Sequence, residues 1–187
     1  MALTNETRDE INTLVRGGYE APERIVEILT EEMYEPGELD EDEVQAFVDQ
    51  CVALLERSKA GWPTVTDCDR LDRAFDQMVM QGVMGLQNAG QTQSDGYQDV
   101  QEALRGREDV HLFIGYCFFH GQDLERAVRG GGLHLAFGPL DPQLEASLGL
   151  EVGQRVVRAL AAAGLHAKWD GTFSQRIFIP QFDWKCR

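Results

Sequence analysis

The residues best placed for chemistry are His120, Gln122 and Asp123, in the run V-H-L-F-I-G-Y-C-F-F-H-G-Q-D-L-E-R-A-V-R-G-G-G-L-H-L-A-F-G-P from Val110 to Pro139. The run reads as a strand, a short helix, a glycine stop and a second strand. The three polar residues fall where the first strand hands over to the helix. An imidazole close to a carboxylate is the pairing a general base needs. The same residues are also ordinary at a helix start, where an Asp favours the helix dipole and a His caps or bonds backbone. Cys117 and His120 have the C-x-x-H spacing of half a zinc site. Strand alternation points them to opposite faces, however, and no second ligand pair follows at usable spacing. No metal is therefore expected, and Cys117 reads as a core residue. Gly130-Gly131-Gly132 follows a helix and precedes a strand, the reverse of a phosphate loop, so it reads as a helix stop.

A wider candidate set comes from the rule that open α/β sheets bind ligands outside the carboxyl ends of their strands. After a first strand over residues 83–88 the rule selects Asn88, Gln91, Thr92, Gln93, Ser94 and Asp95; after the second, His120, Gln122 and Asp123; after the third, Gly138 and Asp141. Thr92, Ser94, Asp95, His120, Gln122 and Asp123, joined by Arg176, are the ligand-binding candidates. Helices starting near Asp95 and Gln122 would aim their amides at the same edge, which suits a polar or anionic group. Arg176 is charged within an apolar strand, so it either faces solvent or meets a carboxylate at the sheet edge. His111 and His134 occupy alternating strand positions and are expected to be partner-bonded or solvent-facing, and Asp170 serves a turn. There is no G-x-S-x-G, P-loop, G-x-G-x-x-G or H-E-x-x-H, so no catalytic residue, cofactor or metal is assigned.

The elements that position these residues are legible from periodicity and breakers. The first part is helical: Thr4–Arg16 stopped by Gly17-Gly18, a second helix from Pro22 to Pro36-Gly37, a third opened by Asp40 and Glu43, and a fourth capped by Thr66. Met33, Leu54 and Val79 are read onto the inward stripes. From Gly82 the order becomes β-α-β-α-β-α-β-β, with a C-terminal hairpin turning at Asp170-Gly171. The expected fold is α/β (or α+β): an N-terminal helical region over 1–81 packed on a mainly parallel sheet domain over 82–187. The crossover from Phe119 to Leu133 is about the minimum length for a parallel connection, which makes its two strands neighbours.

Charge divides the chain in the same place. Residues 1–81 hold 20 acidic against 7 basic residues, a net of −13, whereas residues 82–187 hold 12 against 10. A field of that sign repels nucleic acid and anionic lipid and suits a basic protein partner; it also simply solvates a helical face. Apolar runs reach about six residues, well short of the roughly 20 of a membrane span. The start M-A-L-T-N-E-T-R-D-E has neither the basic nor the apolar part of a signal peptide. With four cysteines and no C-x-x-C, free thiols and a cytoplasmic location are expected.

The runs S-D-G-Y-Q-D-V, G-Y-C-F-F-H-G-Q-D-L-E-R-A-V, G-G-L-H-L-A-F-G and W-D-G-T resemble a family of bacterial proteins described as a domain of unknown function, over roughly residues 82–184. The resemblance implies a bacterial cytosolic protein and supplies no activity, cofactor or catalytic residue. Two functional readings follow from the residues. One is a soluble binding or interaction protein, of regulator or immunity type, that meets a basic partner through its acidic face. The other is an enzyme or small-ligand binder that uses the strand-end cluster, which requires those side chains to converge.

Overall fold

The computed structural model describes residues 3–187; Met1 and Ala2, the first residues of the stretch read for a signal peptide, lie outside it. The chain forms two compact units, Met1–Thr66 with Trp184–Arg187, and Asp67–Asp183. The fourth helix, which the charge break groups with the acidic region, belongs to the second unit.

In the first unit, α1 (Asn5–Gly17) begins at Thr4, whose hydroxyl accepts the Thr7 N–H at 3.1 Å, and ends at Gly18 in the left-handed region. α2 (Pro22–Glu27) opens on the expected proline and continues as a π-helical turn over Ile28–Met33. α3 (Glu41–Lys59) is capped by Asp40, which accepts the Glu43 N–H at 3.0 Å. Their apolar stripes merge in one core that includes Ile11, Ile25, Leu29, Val44 and Val48. Each such side chain contributes about 1.5–3 kcal/mol on burial, and helices this short depend on that packing. Met33 and Leu54, read as inward, are exposed; for Met33 the i→i+5 bonding of the π turn shifts the phase of the stripe. The Trp184 indole N–H donates to the Gly17 carbonyl at 3.3 Å, so this tail aromatic anchors on α1.

The second unit contains α4 (Asp67–Met80), β1 (Val83–Leu86), α5 (Gln93–Leu104), β2 (Gly115–Phe118), α6 (Gly121–Val128), β3 (Leu133–Pro139), α7 (Glu145–Ala162) and β4 (Ile177–Ile179). The strands form one sheet in the order β1-β2-β3-β4. β1 and β2 are parallel, and β3 is antiparallel to both β2 and β4. The fold is therefore mixed α/β and rich in helix, and the mainly parallel sheet expected from the sequence is not what forms. β2 and β3 are neighbours as expected, but the short helix between them does not return the chain to the starting edge. At eight residues α6 spans about 12 Å, against about 23 Å for the seven residues of β3. Gly130–Gly132 then turns the chain directly into the antiparallel partner.

Helices cover both faces of the sheet. Gly85 of β1 lies on the Phe75 ring of α4 and Gly115 of β2 on Val152 of α7, while Phe118 packs against Gly96 of α5 on the other face. α6 lies along β3. The expected C-terminal hairpin opens out: Lys168 and Phe178 form a single bridge, and residues 169–176 make a wide loop. Trp169 and Phe173 hold it open by meeting the Phe137 ring edge-on at 5.5 and 5.8 Å, seated on Gly153 and Gly149 of α7. Asp170 accepts the Thr172 N–H and hydroxyl at 2.8 Å, a turn role as expected. The strand read from Val110 begins only at Gly115, because residues 110–112 form a 3-10 turn that holds His111 at the surface. Val79 is exposed rather than inward.

Cys51 and Cys117 are buried free thiols, whereas Cys68 and Cys186 are disulfide-bonded, which corrects the expectation of four free thiols. Among the described residues no helix is long and apolar enough to cross a membrane. Nor, among them, does any group of three or more His, Cys, Asp or Glu stand where it could hold a metal ion.

Candidate functional site

The period of two in β3 and β4 sends His134 and Phe178 to one face. They are partners in register, and their rings stack at 4.3 Å. Arg176, two residues before Phe178, shares that face. α6 lies over β3 here and presents Asp123 from its first turn and Arg126 one turn later. Gly131 lets the Arg126 stem lie close, because a Cβ there would come within 2.6 Å of Arg126 Cγ. Gly132, at φ +75°, packs against Phe178 and the Ile179 carbonyl, where any side chain would collide. The triple glycine thus stops α6 and also closes the site.

Asp123 is the centre of the cluster, with a side chain 0% exposed. Its Oδ1 accepts from Arg126 Nη1 at 3.1 Å, and its Oδ2 accepts from Arg176 Nη2. His120 Nε2 lies 3.0 Å from Oδ2, and the His120 backbone N–H points to the same oxygen at 3.5 Å. Arg126 Nη1 also stands 3.2 Å from His134 Nδ1. One buried carboxylate therefore gathers two guanidiniums and an imidazole, and a second imidazole touches the outer guanidinium. A carboxylate removed from water requires this density of donors. Two atoms of the cluster are buried without a hydrogen-bond partner, His120 Nδ1 and Arg176 Nε.

The cluster biases its histidines toward the neutral form. Burial lowers the His120 pKa below the ordinary histidine value; Asp123 opposes this, while Arg176 and Arg126 reinforce it. His134 is lowered likewise, by burial first and then by the same two arginines. With Nε2 turned to Asp123, neutral His120 carries its proton there, leaving Nδ1 as an acceptor. Cys117 is not an activated nucleophile. It alternates to the α7 face, and burial raises its thiol pKa.

Of the seven candidates named from sequence, the structure brings His120, Asp123 and Arg176 into direct contact, so Arg176 takes the carboxylate alternative. Thr92 and Asp95 form the N-terminal cap of α5: the Thr92 N–H and hydroxyl donate to Asp95 Oδ2 at 2.8 and 2.9 Å, and the Thr92 hydroxyl accepts from the Asp95 N–H at 3.4 Å. Ser94 and Gln122 are exposed. Gln91 reaches Glu125 at 3.0 Å, Gln93 reaches Tyr97 at 2.6 Å, and Asn88 takes a left-handed φ of 51° in the turn. Because β3 runs antiparallel, its carboxyl end lies at the other end of the sheet, so Gly138 and Asp141 are not part of this edge.

The helix amides are not available either. The Gly121 and Gln122 N–H groups donate to the carbonyls of Gly90 and Gln91 at 2.9 and 3.3 Å, and those of Asp123 and Leu124 to the His120 carbonyl. Any anion at this edge must be held by side chains. Sequence reasoning missed Arg126, although its i+3 spacing from Asp123 on a helix is a readable signal. It placed His134 only as partner-bonded or solvent-facing.

Fold and site together define a two-unit protein with a mixed α/β unit and a buried ion network at one end of its sheet. The chain belongs to the family described as Domain of unknown function (DUF6891), whose model matches residues 2–187. The match takes in the acidic helices as well as the sheet unit, beyond the 82–184 suggested by the sequence runs. No curated protein and no solved structure matches the chain. The family carries no activity to assign.

Proposed function

We propose that this is a small-ligand-binding protein whose site is the cluster of His120, Asp123, Arg126, His134 and Arg176. The observation that carries the reading is the meeting of Arg176 with Asp123, 53 positions apart, around a fully buried carboxylate, with His120 Nδ1 and Arg176 Nε left unpartnered beside it. Unpaired buried polar atoms are rare in folded proteins and concentrate where a ligand or a catalytic role explains them. Binding is favoured over catalysis because the unpartnered acceptor of the cluster, His120 Nδ1, is buried, whereas its arginine donors are partly exposed. The test is a panel of small charged and neutral metabolites screened by ligand-observed NMR against the wild type and Arg126→Gln. Hits that weaken in the variant support the site; hits indifferent to it, or a blank panel, overturn the reading.

The acidic face is the competing reading, with a regulator- or immunity-type role against a basic partner. Exposed Glu31, Glu35, Glu41 and Asp42 favour it. Other acids of the same run are engaged within the unit: Glu32 with Arg24, Glu38 with the Glu35 N–H, Asp40 as a cap and Glu43 with the Leu3 N–H. A pull-down that recovers no partner at low or moderate salt removes it. The net charge of −15 makes nucleic acid an unfavourable partner for either reading. A bacterial, cytoplasmic protein stays part of the proposal, although the disulfide-bonded Cys68 and Cys186 are what an oxidising compartment favours.

A further inference from the structure

We infer that the group this site takes is an oxyanion, a phosphate or carboxylate, gripped by Arg126 and Arg176 with His134 beside them. The inference rests on the ligand-site reading above and narrows it to a chemical class. Two guanidiniums against one carboxylate, with both histidines biased to the neutral form, leave the cluster a formal excess of one positive charge inside a protein of net −15. Apart from the buried His120 Nδ1, the acceptors are saturated or withdrawn. Asp123 meets three side chains, and His134 Nδ1 faces Arg126 Nη1. Asp95 is closed onto Thr92, and Glu125 onto Gln91.

The unused N–H groups belong to the two arginines, with Arg176 Nε among them buried. Among the described residues Arg126 uses only Nη1 in its hydrogen bonds, and its side chain is 46% exposed. Arg176 is 28% exposed, and its bond to Asp123 uses Nη2. A guanidinium offers five N–H groups in a fixed fork that matches two oxygens of a phosphate or carboxylate. Asp123 holds both forks from behind, so little rotamer freedom is lost on binding. A neutral His134 whose Nδ1 faces Arg126 carries its proton on Nε2, a further donor. The amides at the start of α6 are bonded to the β1–α5 loop, so recognition falls on the side chains, and Arg126 is the one least tied into the fold.

The test is calorimetric titration of the full chain with inorganic phosphate, acetate and glucose, repeated on Arg126→Gln and Arg126→Lys. Saturable binding of phosphate or acetate, weakened at least tenfold in Arg126→Gln and less in Arg126→Lys, is the expected result; the stronger of the two anions identifies the oxyanion. Arg126→Lys keeps the charge and serves as the variant should Arg126→Gln fold poorly. Glucose binding without either anion overturns the oxyanion inference and leaves the ligand-site reading standing. Anion binding unchanged in both variants overturns the assignment to this cluster. No response to any of the three probes overturns the inference, and the metabolite panel then decides the broader reading separately.

Discussion

Two helix starts in the sheet unit use the same spacing for different ends. At α5, Thr92 and Asp95 close on one another through three hydrogen bonds, and His120 acts on Asp95 only through its charge. At α6, His120 and Asp123 stand at the same N-cap and N3 positions, but Asp123 also gathers Arg126 and Arg176. The first satisfies helix amides in the usual way. The second places a bulky imidazole where Ser or Thr would cap, gives the Asp123 and Leu124 amides to the His120 backbone carbonyl instead, and buries a carboxylate that then has to be balanced by cations. The cap at α5 forms within one turn, whereas the cluster at α6 recruits Arg176 from 53 positions away. On the proposed reading, the neighbouring start shows what the second would be if capping were its only role.

The largest effect that tests this contrast is on Asp123. Replacing it with Ala strands the donors of Arg176 and leaves a void, and it should lower stability by about 3 kcal/mol in urea unfolding. A loss no greater than that of a cap would erase the distinction. Next comes Arg176→Gln, expected at about 2 kcal/mol because Arg126 and His120 still serve the carboxylate. Thr92→Ala should cost about 1 kcal/mol, the ordinary value for a cap, with no effect on ligand response at the neighbouring start.

Acid should separate the two starts without any mutation. His120 and His134 have folded pKa values below the ordinary ~6.5, so the unfolded chain binds their protons first. Their contribution is complete above ~6.5 and declines as pH falls below it. Asp95 has a lowered pKa, chiefly through its hydrogen bonds with Thr92. Its contribution is present above the ordinary ~3.9 and is lost only as pH falls through the lower folded value. Unfolding measured from pH 8 to 3 should therefore weaken first in the histidine window, and His120→Gln should flatten that first step. A flat profile between pH 7 and 5 in the wild type would count against a buried neutral His120.

Helices and caps were largely legible because their signals are local: Thr4, Pro22, Asp40 and Gly18 each act within a turn. Strand direction was not. The run from Val110 to Pro139 shows two strands and a helix between them, but nothing in their periodicity says which way the second strand runs; the eight-residue length of α6 decides it. That one error moved Gly138 and Asp141 to the wrong end of the sheet. His120 and Asp123 lie at this edge as read, because β2 does end here. Arg176 stood out as a charge in an apolar strand, and its partner could be named only once β4 was paired with β3. Arg126 went unread because an exposed arginine on a helix has no distinguishing local pattern until Gly131 and Asp123 position it.

The most direct test is the side-chain and backbone 15N–1H spectrum with and without inorganic phosphate. The Arg126, Arg176 and His134 side-chain signals should move together while the Thr92 and Asp95 amides stay in place, with His120 in its Nε2-protonated neutral form throughout. Equal movement at both helix starts, or none at the second, would contradict the oxyanion site.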